Sequence, residues 1–286
     1  MPISAASVKE LREKTGAGMM DCQRALQEAN GDMEEAVKLL RKKGLAAAAK
    51  KAGRAAKEGV VALAVTEGNL RGGMVELNCE TDFVARTEQY QAFAQAIADQ
   101  VAADGASDVE KVKATRYVGD PLHTVAEAIS TQVATIGENI LLSRVGFLAA
   151  SHGMQIASYL HMGGKIGVLV ELSASADGET SKDVAMQVAA AEPRFVAREA
   201  VPAEVVKEEL DIAKAQAASS GKPAHVIEKI AEGKLGKFYE QVCLVDQPFV
   251  KNPEQKVSDV LAARGGVVVR GFLRFKLGEG PEVAEK

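Results

Sequence analysis

Met74-Val75-Glu76-Leu77 returns 95 residues later as Leu169-Val170-Glu171-Leu172, and Val145-Gly146-Phe147-Leu148 returns as Arg270-Gly271-Phe272-Leu273, with the glycines 125 residues apart. Apolar strings repeated in the same order read as strands of two related units. The two spacings differ, so the second unit carries about 30 extra residues between its paired strands and its last strand. Phe-Val-Ala-Arg at 83–86 and again at 195–198 fits neither spacing and reads as coincidence in an Ala- and Val-rich chain.

Around the first copy, Val60, Val61, Leu63 and Val65 lead into Glu67-Gly68-Asn69, and residues 71–80 return as a second strand, which predicts a hairpin. Helical spacing follows through Tyr90, Phe93, Ala94, Ile97, Ala98 and Val101. A second helix runs through Val125, Ala128, Ile129, Val133 and Ile136 and stops before Gly137, ahead of a strand through Ile140, Leu142 and Phe147. The extra residues of the second unit read as two antiparallel helices. Pro202 opens one through Val205, Val206, Leu210, Ile212 and Ala213; Ser219-Ser220-Gly221-Lys222-Pro223 makes the turn; Val226, Ile227, Ile230, Leu235, Phe238 and Val242 return. Such an arm either packs on itself and the core or offers a surface for self-association or a partner.

Before the first copy, three short helices are joined by Gly turns. Val8, Leu11 and Arg12 belong to the first; Met20, Ala25, Leu26 and Ala29 form the apolar side of the second. Asp32 and Glu35 make a capping box for the third, and Gly44 ends it as a C′ glycine. Arg41 to Lys57 then holds seven basic and no acidic residues. It reads first as a solvated helix or linker and second as an RNA or phosphate contact, since no aromatic is interleaved to stack on bases. The expected fold is α+β. A three-helix domain with a basic linker spans 1–55, a first core unit 56–150, a second 151–192 and 244–279, an inserted helical hairpin 193–243, and a tail 280–286.

Composition narrows the function. With 47% hydrophobic and 26% charged residues, the 286-residue chain is an ordinary globular protein. Thirty-five basic against 39 acidic residues, net −4, give no global field for nucleic acid. Cys22, Cys79 and Cys243 are too far apart and too few for a disulfide framework, which points to a reducing compartment. No secretory signal follows Met1, and the uncharged run from Val145 to Gly164 is broken by His152, Gln155, His161 and glycines, which a bilayer core rejects. A soluble, cytoplasmic protein is expected. Phosphate-loop, dinucleotide, zinc-protease and nucleophile-elbow motifs are missing; Gly163-Gly164-Lys165-Ile166 has the wrong spacing for the first. His123, His152, His161 and His225 are scattered, so no metal or cofactor is expected. A binding or regulatory protein is the first reading, and an enzyme with an unfamiliar site stays open.

One segment stands apart: Asn78-Cys79-Glu80-Thr81-Asp82-Phe83-Val84-Ala85-Arg86, where Thr81 or Asp82 would cap the Tyr90 helix. Phe83 lies seven residues before Tyr90, and pattern alone favours its burial on the same face. The other reading is an apolar wedge shown at a strand-to-helix turn, beside a carboxylate.

This segment, with the run Val8 to Cys22, Ile136-Gly137-Glu138-Asn139-Ile140, Ile166-Gly167-Val168-Leu169-Val170, Gln247-Pro248-Phe249-Val250 and Gly271-Phe272-Leu273-Arg274-Phe275, resembles the bacterial elongation factor Ts family, in order and over nearly the whole chain. The resemblance implies a ubiquitin-associated-like N-terminal domain, two related core subdomains and a dimerisation hairpin. It implies a guanine nucleotide exchange factor that binds the GDP-bound and nucleotide-free forms of elongation factor Tu, with no catalytic site and no cofactor of its own. Homodimerisation through the hairpin is implied too, and neither membrane nor direct nucleic-acid binding. Thr81, Asp82, Phe83 and Val84 correspond to the segment that dislocates Mg²⁺ in the GTPase. Arg12, Met19, Met20 and His161 correspond to contacts with its nucleotide-binding domain.

Overall fold

A computed structural model describes residues 3–218 and 223–279; the predicted turn at 219–222 and the tail at 280–286 lie outside them. In chain order the elements are α1 (Ala5–Thr15), α2 (Met19–Glu28), α3 (Met33–Lys51), β1 (Glu58–Val65), β2 (Arg71–Cys79), α4 (Asp82–Ala85), α5 (Glu88–Asp104), α6 (Val109–Ala114), β3 (Arg116–Tyr117), β4 (Asp120–Thr124), α7 (Val125–Ile136) and β5 (Leu141–Ala149). The second copy holds β6 (Met154–His161), β7 (Ile166–Ser173), α8 (Gly178–Ala191), α9 (Ala203–Ala218), α10 (Ala224–Val242), β8 (Pro248–Phe249), β9 (Asn252–Lys256), α11 (Val257–Ala263) and β10 (Val269–Lys276).

Two antiparallel three-stranded sheets, ordered β1-β2-β5 and β10-β7-β6, form the centre. Their facing sides meet through Val61, Met74, Ile156 and Leu169. The other face of the first sheet buries Tyr90, Phe93, Ile97 and Val101 of α5, and that of the second buries Val184 and Val188 of α8. Side-chain alternation along each strand supplies one face to each contact. Arg144, ion-paired with buried Glu76 inside the first copy, reaches across to the second. Arg144 Nε donates to Glu76 Oε2 at 2.6 Å, its Nη2 donates to the Lys276 carbonyl at 2.6 Å, and its guanidinium lies 4.3 Å from the Phe275 ring centroid.

The repeat is visible in the ladders. Gly59 pairs with Asn78, and Met154 pairs with Ser173, both partners 95 residues on. A small ribbon also recurs: Arg116 faces Thr124, and Pro248 faces Lys256, both 132 residues on. The extra length therefore splits. Thirty-seven residues enter between the hairpin and the ribbon, and five are lost after it, because α7 has 12 residues and α11 has 7. The match of Gly146 with Gly271 needs correction. Glu76 pairs with Arg144 where Glu171 pairs with Gly271, so the third strand sits two residues away from the sequence match. A shift of two keeps every side chain on its face, which is why the pattern survives it.

The N-terminal helices close around Leu11, Cys22, Leu26 and Ala36. Gly44 does not end α3, which continues to Lys51. The Ala-rich segment beyond it favours helix strongly enough to absorb a single Gly, at about 1 kcal/mol. Gly44 is buried instead against α7, where an added Cβ would lie 3.6 Å from Ala134 Cβ. Most of the expected basic linker is thus a helix docked on the first core copy.

The inserted helices α9 and α10 run antiparallel and bury Ala213, Ala217 and Ala231 along their seam, while Ile212 stays exposed. At the base, Phe195 bridges Cys243, and Val201, Val242, Phe238 and Tyr239 form a small cluster. The Phe-Val-Ala-Arg strings serve different structures, a helical turn in one case and this extended base in the other.

Candidate functional site

The site grows from the end of β2. After Cys79 the chain makes a single helical turn, α4, before starting α5. Thr81 caps the short turn, its Oγ1 accepting from Val84 N at 3.4 Å, and Thr87 separately caps α5, accepting from Tyr90 N at 3.3 Å. This corrects the expectation of one helix capped by Thr81 or Asp82. It also explains Phe83. The seven-residue phase to Tyr90 is broken at Arg86 and Thr87, so Tyr90 is fully buried while Phe83 is 79% exposed. Asp82 pairs with Arg86 at 2.8 Å, Val84 is half-buried, and Ala85 plugs the turn into the core.

A carboxylate from across the fold holds this turn. Glu138, just past the C-terminus of α7, accepts from Glu80 N at 3.1 Å and Thr81 N at 3.0 Å through Oε2, and from the Thr81 hydroxyl at 2.6 Å through Oε1. Glu80 returns the bond, its Oε1 accepting from Asn139 N at 2.7 Å. Asn139 Nδ2 donates to the Arg54 carbonyl at 2.8 Å. Beneath, the Cys79 thiol donates to the Thr81 carbonyl at 3.2 Å, and burial pushes both that thiol and the Tyr90 phenol above their ordinary pKa values. Neither is a reactive group at neutral pH.

His161 closes β6, with its ring stacked on Tyr159 at 5.8 Å and its Nδ1 3.0 Å from the Tyr159 hydroxyl. The following residues, Met162, Gly163 and Gly164, all have positive φ, and Met162 is 71% exposed. This turn is tied to β1, since Gly164 O accepts from Val61 N at 2.7 Å and Lys165 pairs with Glu58 at 2.9 Å. Glu58 is the ladder partner of Cys79, so the His161 and Phe83 turns share one end of β1.

Arg12, Met19 and Met20 stand apart on the N-terminal helices, all exposed. Met20 does not belong to the apolar face of α2, which consists of Cys22, Ala25 and Leu26. Both methionines follow the Gly16 turn, which lies against the end of α7: a Cβ on Gly16 would stand 3.9 Å from Thr135 Oγ1. The residue pair Glu138-Asn139, three and four positions later, was within a quoted motif but had no legible role, because its partners lie 57 to 85 residues away in sequence.

The basic stretch is partly neutralised. Arg41 pairs with Glu127, Lys43 with Glu28 at 2.7 Å, and Arg54 with Glu80 at 3.5 Å. Among the described residues no group of three or more His, Cys, Asp or Glu could hold a metal ion, and no helix is long and apolar enough to cross a membrane.

An exposed aromatic on a braced turn, with two exposed methionines on a helical domain joined to the same brace, is the class of surface that proteins use to dock on a partner. Comparison with known proteins supplies the family. The family described as Elongation factor TS matches residues 80–279. The chain is also 45% identical over 298 positions to the elongation factor Ts of Trichlorobacter lovleyi (strain ATCC BAA-1151 / DSM 17278 / SZ), covering 100% of this chain and 96% of that protein. The chain belongs to the elongation factor Ts family, exchange factors of translation elongation in protein biosynthesis.

Proposed function

We propose that this chain binds elongation factor Tu in the cytoplasm, in its GDP-bound and nucleotide-free forms, and promotes GDP release for exchange to GTP. Phe83 enters the GTPase beside its Mg²⁺ site, flanked by Thr81, Asp82 and Val84. Arg12, Met19 and Met20 contact the nucleotide-binding domain from the N-terminal helices, and His161 does so from the second copy. The carrying observation is Phe83, 79% exposed on a turn whose backbone is held by Glu138. No catalytic step belongs to this chain. The inserted helices serve self-association.

The energetics follow from linkage. A factor that weakens a nucleotide is weakened by that nucleotide to the same degree, and the preference for GTP over GDP is untouched. Weakening by about 10⁴-fold requires roughly 5.5 kcal/mol of coupling. Burying one Phe side chain contributes about 1.5–3 kcal/mol. The aromatic alone is insufficient, so loss of Mg²⁺ coordination and the contacts of Met19, Met20 and His161 make up the difference. Stopped-flow release of a fluorescent GDP from elongation factor Tu, with and without this chain, tests the reading. Release unaffected by the chain overturns it.

A further inference from the structure

We propose that Glu138 is a positioning residue for the exchange reaction, holding the Phe83 turn in its docking geometry and tying that turn to the N-terminal contact surface. The inference rests on the exchange reading above and goes beyond it, because Glu138 bonds only the base of the turn, at Glu80 and Thr81, and acts on Phe83 through it. Three donors converge on its carboxylate, two of them backbone amides of the residues that open the turn. Thr81 itself caps α4 with the same hydroxyl oxygen that donates to Glu138. A four-residue helix cannot sustain itself, since nucleation costs more than one turn returns. Its order, and hence the direction of Phe83, is therefore imposed from outside: buried Ala85 and the Thr87 hydroxyl hold its far end, and Glu138 holds its start.

The same node reaches the other surface. Glu138 follows α7, whose Ala134 packs against Gly44 of α3 and whose Thr135 faces the Gly16 turn that precedes Met19 and Met20. Arg54, in the connection from α3 to β1, gives its carbonyl to Asn139 and its guanidinium to Glu80. Helices, turn and connection thus meet at Glu80, Glu138 and Asn139. A partner gripping the methionines meets Phe83 at a fixed offset. An ångström-scale misplacement of a positioned group costs on the order of a hundredfold in rate.

The test compares Glu138→Ala and Glu138→Gln, each with Phe83 and with Phe83→Ala. Gln keeps a carbonyl oxygen for the two amides, and its NH₂ can donate to the Thr81 hydroxyl. We expect Glu138→Ala to lower the maximal GDP-release rate about tenfold to a hundredfold, with little change in the factor concentration giving half the maximum. Glu138→Gln should restore most of that rate. In the Phe83→Ala background Glu138→Ala should cost little more, because both changes remove the same contact. Amide exchange of residues 84–87, whose amides bond within the turn, should lose protection in Glu138→Ala and keep it in Glu138→Gln. A wild-type maximal rate in Glu138→Ala overturns the assignment, and so does an equal loss with and without Phe83. Protection unchanged in Glu138→Ala overturns the brace with no partner present. A wild-type chain that fails to accelerate release overturns the exchange reading itself, which separates the two failures.

Discussion

The two core copies share a hairpin in the same register but treat its exit oppositely. In the first, the chain leaves β2, makes the extra turn α4 and shows Phe83 before α5 begins. In the second, the place 95 residues on from Phe83 is Gly178, the first residue of α8, directly behind the N-cap Asp177. The helix ends that face these exits differ in sign. Glu138 after α7 offers a carboxylate to backbone amides, whereas Arg264 after α11 offers a guanidinium to buried Asp183, 3.0 Å away, and to Thr180. One junction holds a presenting turn; the other locks a helix. The shared hairpin supplies the scaffold, and a few polar residues set which copy displays an aromatic.

Changing single residues can break or sharpen this contrast. The largest effect is expected at Gly73, where α5 lies so close to β2 that a Cβ would stand 2.4 Å from Ala102 N and 2.5 Å from Ala98 O. The second copy has the fully buried Val168 there. Gly73→Ala should cost about 3 kcal/mol in urea unfolding, and a cost near zero would show that α5 can retreat as α8 has. Phe83→Ala comes next. It should slow GDP release about tenfold to a hundredfold, from the roughly 1.5–3 kcal/mol of lost burial. Urea unfolding should be unaltered, since the ring is exposed in the free chain. Asp183→Ala should destabilise by about 2 kcal/mol, because Lys251, at 2.5 Å, and Arg264 lose their buried partner. Exchange should be unaffected, and a parallel loss of exchange would blur the division of labour. The smallest effect is a gain. Gly44→Ala adds a methyl into ordinary contact with Ala134 and should raise stability by about 1 kcal/mol through helix propensity. A loss instead would show that the α3–α7 crossing has no room for a methyl group.

Much of the fold was legible because it rests on local periodicity: the hairpins, α5, α7 and the inserted helices all announced themselves through apolar spacing. What escaped depended on distant partners or weak local signals. The ribbons β3–β4 and β8–β9 are short and mostly polar, as in Asp120-Pro121-Leu122-His123-Thr124, so no alternation marks them. Gly44 looked like a stop because its partner, α7, lies some 90 residues away. Met20 looked apolar and therefore buried, and its exposure follows only from where α2 meets its neighbours. Phe83 was the hardest case. Its spacing from Tyr90 argued for burial, the family resemblance argued against it, and the second cap at Thr87 decides the matter.

The bridge at the base of the inserted arm has a consequence for how chain length can vary. Arg194 and Phe195 both donate to the Val242 carbonyl, and Leu244 N donates back to Phe195 O. The arm therefore leaves and re-enters the core at adjacent points, and its reach is set by its own two helices. Closure cost rises only slowly with the length enclosed, so turns can be added or removed in matched pairs with little change for the sheets beneath. Reach is in that sense a free variable of this architecture, separately tunable from the surface that carries Phe83.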